Sequence, residues 1–116
     1  MDERNRGFAG EKGACRFLKK NGYKILQTNY ATRFGEIDII AQKGEFIAFV
    51  EVKTRNENTI ASPGEFVNNK KQQRIIITAQ HYLLEEKTDR QPRFDVIEIM
   101  TEKGKIREIN HIENAF

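Results

Sequence analysis

One cysteine, Cys15, is all that the sequence contains, so no internal disulfide can staple the fold. The only two histidines, His81 and His111, have no metal-ligand spacing to each other or to Cys15. No run approaches the roughly 20 apolar residues of a membrane span. The opening MDERNRGF has no apolar signal-peptide core, so the cytoplasm is expected and a membrane partner is not. Internal repeats, low-complexity tracts and linker-like stretches are missing as well, and 116 residues then make a single domain, 1–116, with one core. Charged residues at 32% and apolar ones at 38% suit a globular chain. The charge excess is small, +3 with a pI near 9.1, which permits a nucleic-acid partner without demanding one.

What is there centres on residues 35–55, GEIDIIAQKGEFIAFVEVKTR. Two apolar runs flank Lys43-Gly44, the pattern of a β-hairpin. With those two residues as the loop, Gln42 faces Glu45, Ile40 faces Ile47, Asp38 faces Phe49 and Glu36 faces Glu51. Side chains alternate between faces, so Glu36, Asp38, Glu51 and Lys53 share one face with Ile40, Ile47 and Phe49. The other face carries Ile37, Ile39, Ala41, Phe46, Ala48, Val50 and Val52. Strands apolar on both faces belong mid-sheet, covered on both sides. Carboxylates and a lysine gathered at one end of such a face are costly unless paired or metal-bound. A loop of odd length would put Asp38 and Glu51 on opposite faces.

The flanking segments supply more charged candidates. Residues 3–21 read as a helix stopped by Gly22, with Phe8, Ala14, Cys15 and Leu18 on one stripe and Glu11 at its centre. Glu11 is either an acidic group leaning over the charged hairpin end or a first-turn glutamate balanced by a lysine. Cys15 reads as a small core residue. Residues 23–32 form a strand at or near an edge. Residues 55–62, RNENTIAS, read as a mobile loop able to close over a substrate, with Arg55 as a phosphate contact. Ser62-Pro63-Gly64-Glu65 has capping-box spacing, so a second helix begins there or near Asn68 and runs to about Glu86. Val67, Lys71, Ile75, Thr78 and Tyr82 share its inward stripe, and Lys70, Lys71 and Arg74 form a basic cluster. His81 falls off the stripe, at the surface. Residues 93–100 and 106–111 complete the strands, and Asp95 reads as a structural partner of Arg93 or a nearby amide.

Asp38, then twelve residues, then Glu51-Val52-Lys53 matches the PD-(D/E)xK nuclease pattern, with Ile37 where the motif name has Pro. Gly10-Glu11, GEID at 35–38, FVEVKTR at 49–55, Lys71 and RFDV at 93–96 together resemble the YraN-like family of small bacterial proteins, over roughly residues 7–99. The resemblance implies an α/β fold with a restriction-endonuclease-like core (αβββαβ), a central mixed sheet flanked by helices. It also implies a nuclease site of the resolvase-like kind, with Glu11 as a further acidic member. The element order α-β-β-β-α-β-β, read from the pattern, agrees.

Residue chemistry fits that implication. Phosphodiester hydrolysis needs hydroxide near neutral pH and relief of negative charge, and a divalent metal supplies both. Mg²⁺ or Mn²⁺ is expected at Asp38 and Glu51, with the Val52 carbonyl as a further ligand. Lys53 would orient or deprotonate the attacking water, and Glu36 would support the metal ligands or a second ion. Arg55, Lys70, Lys71 and Arg74 are the expected nucleic-acid contacts. Three functions remain open: a metal-dependent endonuclease on structured or branched DNA, a nucleic-acid-binding accessory with little cleavage of its own, and a protein whose charged cluster is only a salt-bridge network. A homodimer or a protein partner also stays open.

Overall fold

Both apolar runs of residues 35–55 become strands, and the other elements are laid against them. The computed structural model describes residues 3–56 and 68–116, with side chains from Gly10 onward. Its elements are α1 (Glu3–Lys20), β1 (Lys24–Thr32), β2 (Gly35–Lys43), β3 (Phe46–Asn56), α2 (Asn69–Glu86), β4 (Gln91–Glu102) and β5 (Lys105–Ile112). The strands form one sheet in the order β1-β2-β3-β4-β5. Neighbours are antiparallel except β3 and β4, which the α2 crossover joins in parallel. This α/β layout is compatible with a restriction-endonuclease-like core, with β5 added at one edge and β1 at the other.

The sheet is covered on both faces, as its doubly apolar strands require. On one face α1 buries Ala14 and Leu18, one turn apart, over Ile39, Ala41, Ala48, Val50, Ile97 and Ile99. Gly10 allows that approach, because a β-carbon there would collide with the Thr54 hydroxyl. On the other face α2 lays Ile75, Ala79 and Tyr82 over Ile40, Ile47, Phe49 and Val96. Tyr82 meets Phe49 and Tyr30 edge-on, with centroids 6.0 and 5.3 Å away. Asn68 caps α2 by accepting the Lys71 N–H at 2.9 Å. Of the two possible starts for this helix, the later one is seen. Among the described residues no helix is long and apolar enough to cross a membrane.

Three details differ from expectation. The hairpin loop is Gly44-Glu45, since Lys43 pairs with Phe46. Gly44 has φ +58°, and primed hairpin turns take glycine at this first central position. The register therefore moves by two residues: Ile40 faces Phe49 and Gln42 faces Ile47. Glu36 does not face Glu51; it pairs with Ala31 of β1. Asp38 lies beyond the last paired residues, and it borders the same cleft as Glu51. Second, Ile37 packs with Tyr30 in the α2-side core, breaking strict alternation beyond the last β2–β3 pair, Ile39–Val50. Third, Arg55 and Asn56 belong to β3 rather than a loop, because parallel pairing continues to Asn56–Thr101. The remainder of the expected loop (57–62), the capping box at 62–65, the Phe8 side chain and Val67 lie outside the described residues.

Candidate functional site

The pairing of β2 with β3 runs from Lys43–Phe46 to Ile39–Val50 and stops. Asp38 then takes over from the backbone: its Oδ2 accepts the Val52 N–H at 2.8 Å. An extended residue sends its N–H and C=O to the same side. The Val52 carbonyl therefore also faces β2, where the ladder has opened, although its side chain packs under α1.

Glu51 is buried, and its Oε1 lies 2.5 Å from Lys71 Nζ and 3.6 Å from Lys53 Nζ. Its cations come from two elements, β3 and α2, so the cluster needs the tertiary fold. Among the described residues no cation forms an ion pair with Asp38, although its charge acts on both Lys53 and Lys71. Burial, then the Glu51 charge, push its carboxyl up to about 7 against the opposing Val52 bond, and Glu11 and Glu36 add to the rise. Burial and the adjacent Lys71 ammonium lower the Lys53 pKa. Burial works the same way on Lys71, but its bond to Glu51 outweighs that and holds its proton more tightly than usual.

These groups border a cleft of about 410 Å³ between the sheet and the start of α2. Gly35, Glu36, Asp38 and Glu51 line one side; Asn68, Lys70, Lys71, Arg74 and Ile75 line the other. Gly35 lets the sheet come this close, because a β-carbon there would stand 3.1 Å from Thr78 Oγ1 and 3.4 Å from the Arg74 carbonyl. Glu11 reaches the cluster from α1. Its carboxyl is raised by burial, bonded by the Asn29 side chain and repelled by Glu36. Asn29 sits in β1 between the residues paired with Ile39 and Ile37, beside Asp38, and has φ +52°.

The expected site residues thus separate. Asp38, Glu51, Lys53 and Lys71 converge, with the Val52 backbone beside them and Glu36 and Glu11 close enough to act on Asp38. Lys70 and Arg74 are exposed on the cleft wall. Arg55 instead pairs with Glu98 of β4 at 3.3 Å, with both side chains largely covered. Sequence reading named Asn68 only as a possible helix start and did not single out Asn29. The first had a helix-cap signal, and the second had none, since its left-handed backbone is visible only in three dimensions.

Among the described residues no set of three or more acidic, histidine or cysteine side chains forms a ready metal cage. Two carboxylates with a backbone carbonyl still fit Mg²⁺, which keeps several waters and takes phosphate oxygens. An ammonium held at 2.5 Å by Glu51, beside an Asp38 with raised pKa, marks a place where a cation is favourable. Asp38, Glu51 and the Val52 carbonyl are the groups that would hold it.

A second charged cluster is structural. Asp95 is fully buried and accepts from Arg93 Nε at 2.9 Å, Arg93 Nη2 at 2.7 Å and the Asn114 N–H at 3.0 Å. His111 Nε2 lies 2.8 Å away. Burial alone would raise the Asp95 pKa, but the bonds from His111, Arg93 and Asn114 outweigh it and lower it. Both partners anticipated for Asp95, Arg93 and a backbone amide, are found, and His111 is the one sequence reading did not supply.

Comparison with known proteins matches residues 10–99 to the model described as "Uncharacterised protein family UPF0102". A UPF0102 protein of Alkaliphilus oremlandii is 50% identical over 113 residues, 95% of this chain and 96% of that protein. One from Caldanaerobacter subterraneus is 44% identical over 119 positions, covering 100% of this chain and 98% of the relative. One from Clostridium tetani is 52% identical over 95 residues, 81% of this chain and 78% of the relative.

Proposed function

The chain belongs to the uncharacterised protein family UPF0102, the YraN-like family that its motifs resemble, and we propose that it is a metal-dependent nuclease hydrolysing phosphodiester bonds in structured DNA. One observation carries this: two carboxylates from adjacent strands, Asp38 and Glu51, meet at an opened ladder with two lysines and a backbone carbonyl, inside a cleft walled by basic residues. Mg²⁺ or Mn²⁺ bound there would acidify a water and polarise the scissile phosphate. Lys53 holds its proton loosely, so it suits proton transfer with the attacking water or charge relief on the phosphate. Lys71 holds the buried Glu51 in place. Lys70 and Arg74 face the path of a phosphate backbone.

The accessory alternative, DNA binding with little cleavage, has one observation in its favour. The Lys71 ammonium already occupies Glu51 Oε1, so substrate or a partner would have to draw it away before a metal could bind fully. Incubating the protein with linear, flap, fork and four-way-junction DNAs in Mg²⁺ or Mn²⁺ separates the two. Metal-dependent cutting that disappears in Asp38→Asn is the expected result. Binding without cutting on every substrate would support the accessory role, and neither binding nor cutting would refute both.

A further inference from the structure

A groove of about 520 Å³ lies beside the candidate site, between α1 and β1. Lys12, Arg16 and Lys19 stand along its α1 side, Thr28 and Asn29 form the β1 side, and Glu11 closes the end towards the carboxylates. The three basic residues are spaced i, i+4 and i+7. At about 100° per residue they fall within an arc of roughly 60° and extend about 10 Å along the helix. All three are exposed. Lys12 and Arg16 are like charges four apart, and Arg16 and Lys19 three apart, spacings that weaken a helix. Placement at the helix C-terminus is favourable for Lys19. A one-sign stripe of this kind complements a polyanion. The opposite wall has neutral hydrogen-bonding side chains, and among the described residues the only carboxylate in the groove is at the end facing the reaction site.

The geometry points to this groove as a second track for the phosphate backbone of the nucleic-acid substrate, held by Lys12, Arg16 and Lys19 on the far side of the candidate site from Lys70 and Arg74. The inference rests on the nucleic-acid function proposed above and adds a surface to it. With basic walls on both sides of Asp38, the substrate is gripped on both flanks of the bond that would be cut. Phosphate contacts fix position without reading sequence, so the track serves duplex of any sequence.

Cys15 lines the groove and is the only cysteine, which gives a direct footprint. A blunt DNA duplex is titrated without divalent metal, so that no strand is cut, and two quantities are read: the salt dependence of binding and the rate at which a maleimide labels Cys15. The wild type should bind with a steep salt dependence, and saturating duplex should slow labelling several-fold. The triple variant Lys12→Gln, Arg16→Gln, Lys19→Gln should lose about 2 to 3 from the log–log salt slope, near 0.9 per lost phosphate contact, and lose the protection. A control with equal charge removed elsewhere, Lys87→Gln, Lys103→Gln, Lys105→Gln, should keep both. An unchanged slope in the first variant, an equal loss in the control, or an unprotected Cys15 at saturation overturns the track while leaving the cleft's function standing. If the wild type binds neither this duplex nor a four-way junction at any salt, the nucleic-acid function itself fails and the track with it.

Discussion

Replacing Asp38 with asparagine keeps the shape of the side chain and removes its charge, and the consequence can be worked out with and without metal. The Asp38 carboxyl ordinarily titrates at 3.8 and stands at about 7 in the folded protein. A raised carboxyl binds its proton more tightly folded than unfolded. Its stabilising contribution is therefore complete below about pH 4 and is lost as pH rises towards 7. At 1.36 kcal/mol per unit, the metal-free protein should lose roughly 4 kcal/mol over that window, as an upper figure. Asp38→Asn should show a flatter curve and be the more stable of the two at pH 8. Bound Mg²⁺ should close most of that gap, because it favours the ionised form and binds only the folded state, adding about 2.7 kcal/mol at 100 times Kd. One unit below the Asp38 pKa, at pH 6, ionisation opposes binding and metal affinity should be about tenfold weaker than at pH 8. Urea unfolding at pH 5, 6, 7 and 8, with and without Mg²⁺, measures all of this. Parallel pH curves for the two proteins, or an equal gain from Mg²⁺ in both, would refute the reasoning.

Lys53→Ala should retain the metal-induced stabilisation and bind DNA within a few-fold of wild type, yet cut at least ~100-fold more slowly in single turnover; cutting at the wild-type rate would remove Lys53 from the chemistry. Lys53→Arg should also be slow, because guanidinium does not give up its proton and its fork reaches differently. Asp95→Ala should cost about 3–5 kcal/mol in urea unfolding by leaving Arg93 without its buried partner, with no change in the Mg²⁺ increment. Asp95 has a lowered pKa, so the stability it provides should be present at neutral pH and fall away in acid, which a pH series against Asp95→Asn checks.

The sequence by itself determined the strand pair, its two-faced burial and the shared face of Glu51 and Lys53, because period-two alternation survives any register shift of two; Asp38, beyond the paired stretch, was brought beside Glu51 by the fold. It also marked Lys71 as inward-facing, because helical periodicity fixes a stripe without knowing what lies beneath. Tertiary structure decided the rest. Gly44 rather than Lys43 opens the turn, which moved Glu36 away from Glu51. The α2 crossover set the Lys71 ammonium on Glu51, and parallel pairing with β4 drew Arg55 to Glu98. Asn29 came beside Asp38, and His111 came to Asp95 from another strand. Such contacts depend on how far apart packed elements come to rest, and one-dimensional spacing carries no record of that. The same limit explains why the Asp38 pKa was not legible: a carboxyl is raised by what surrounds it, and its neighbours Glu51 and Glu11 arrive from elsewhere in the chain.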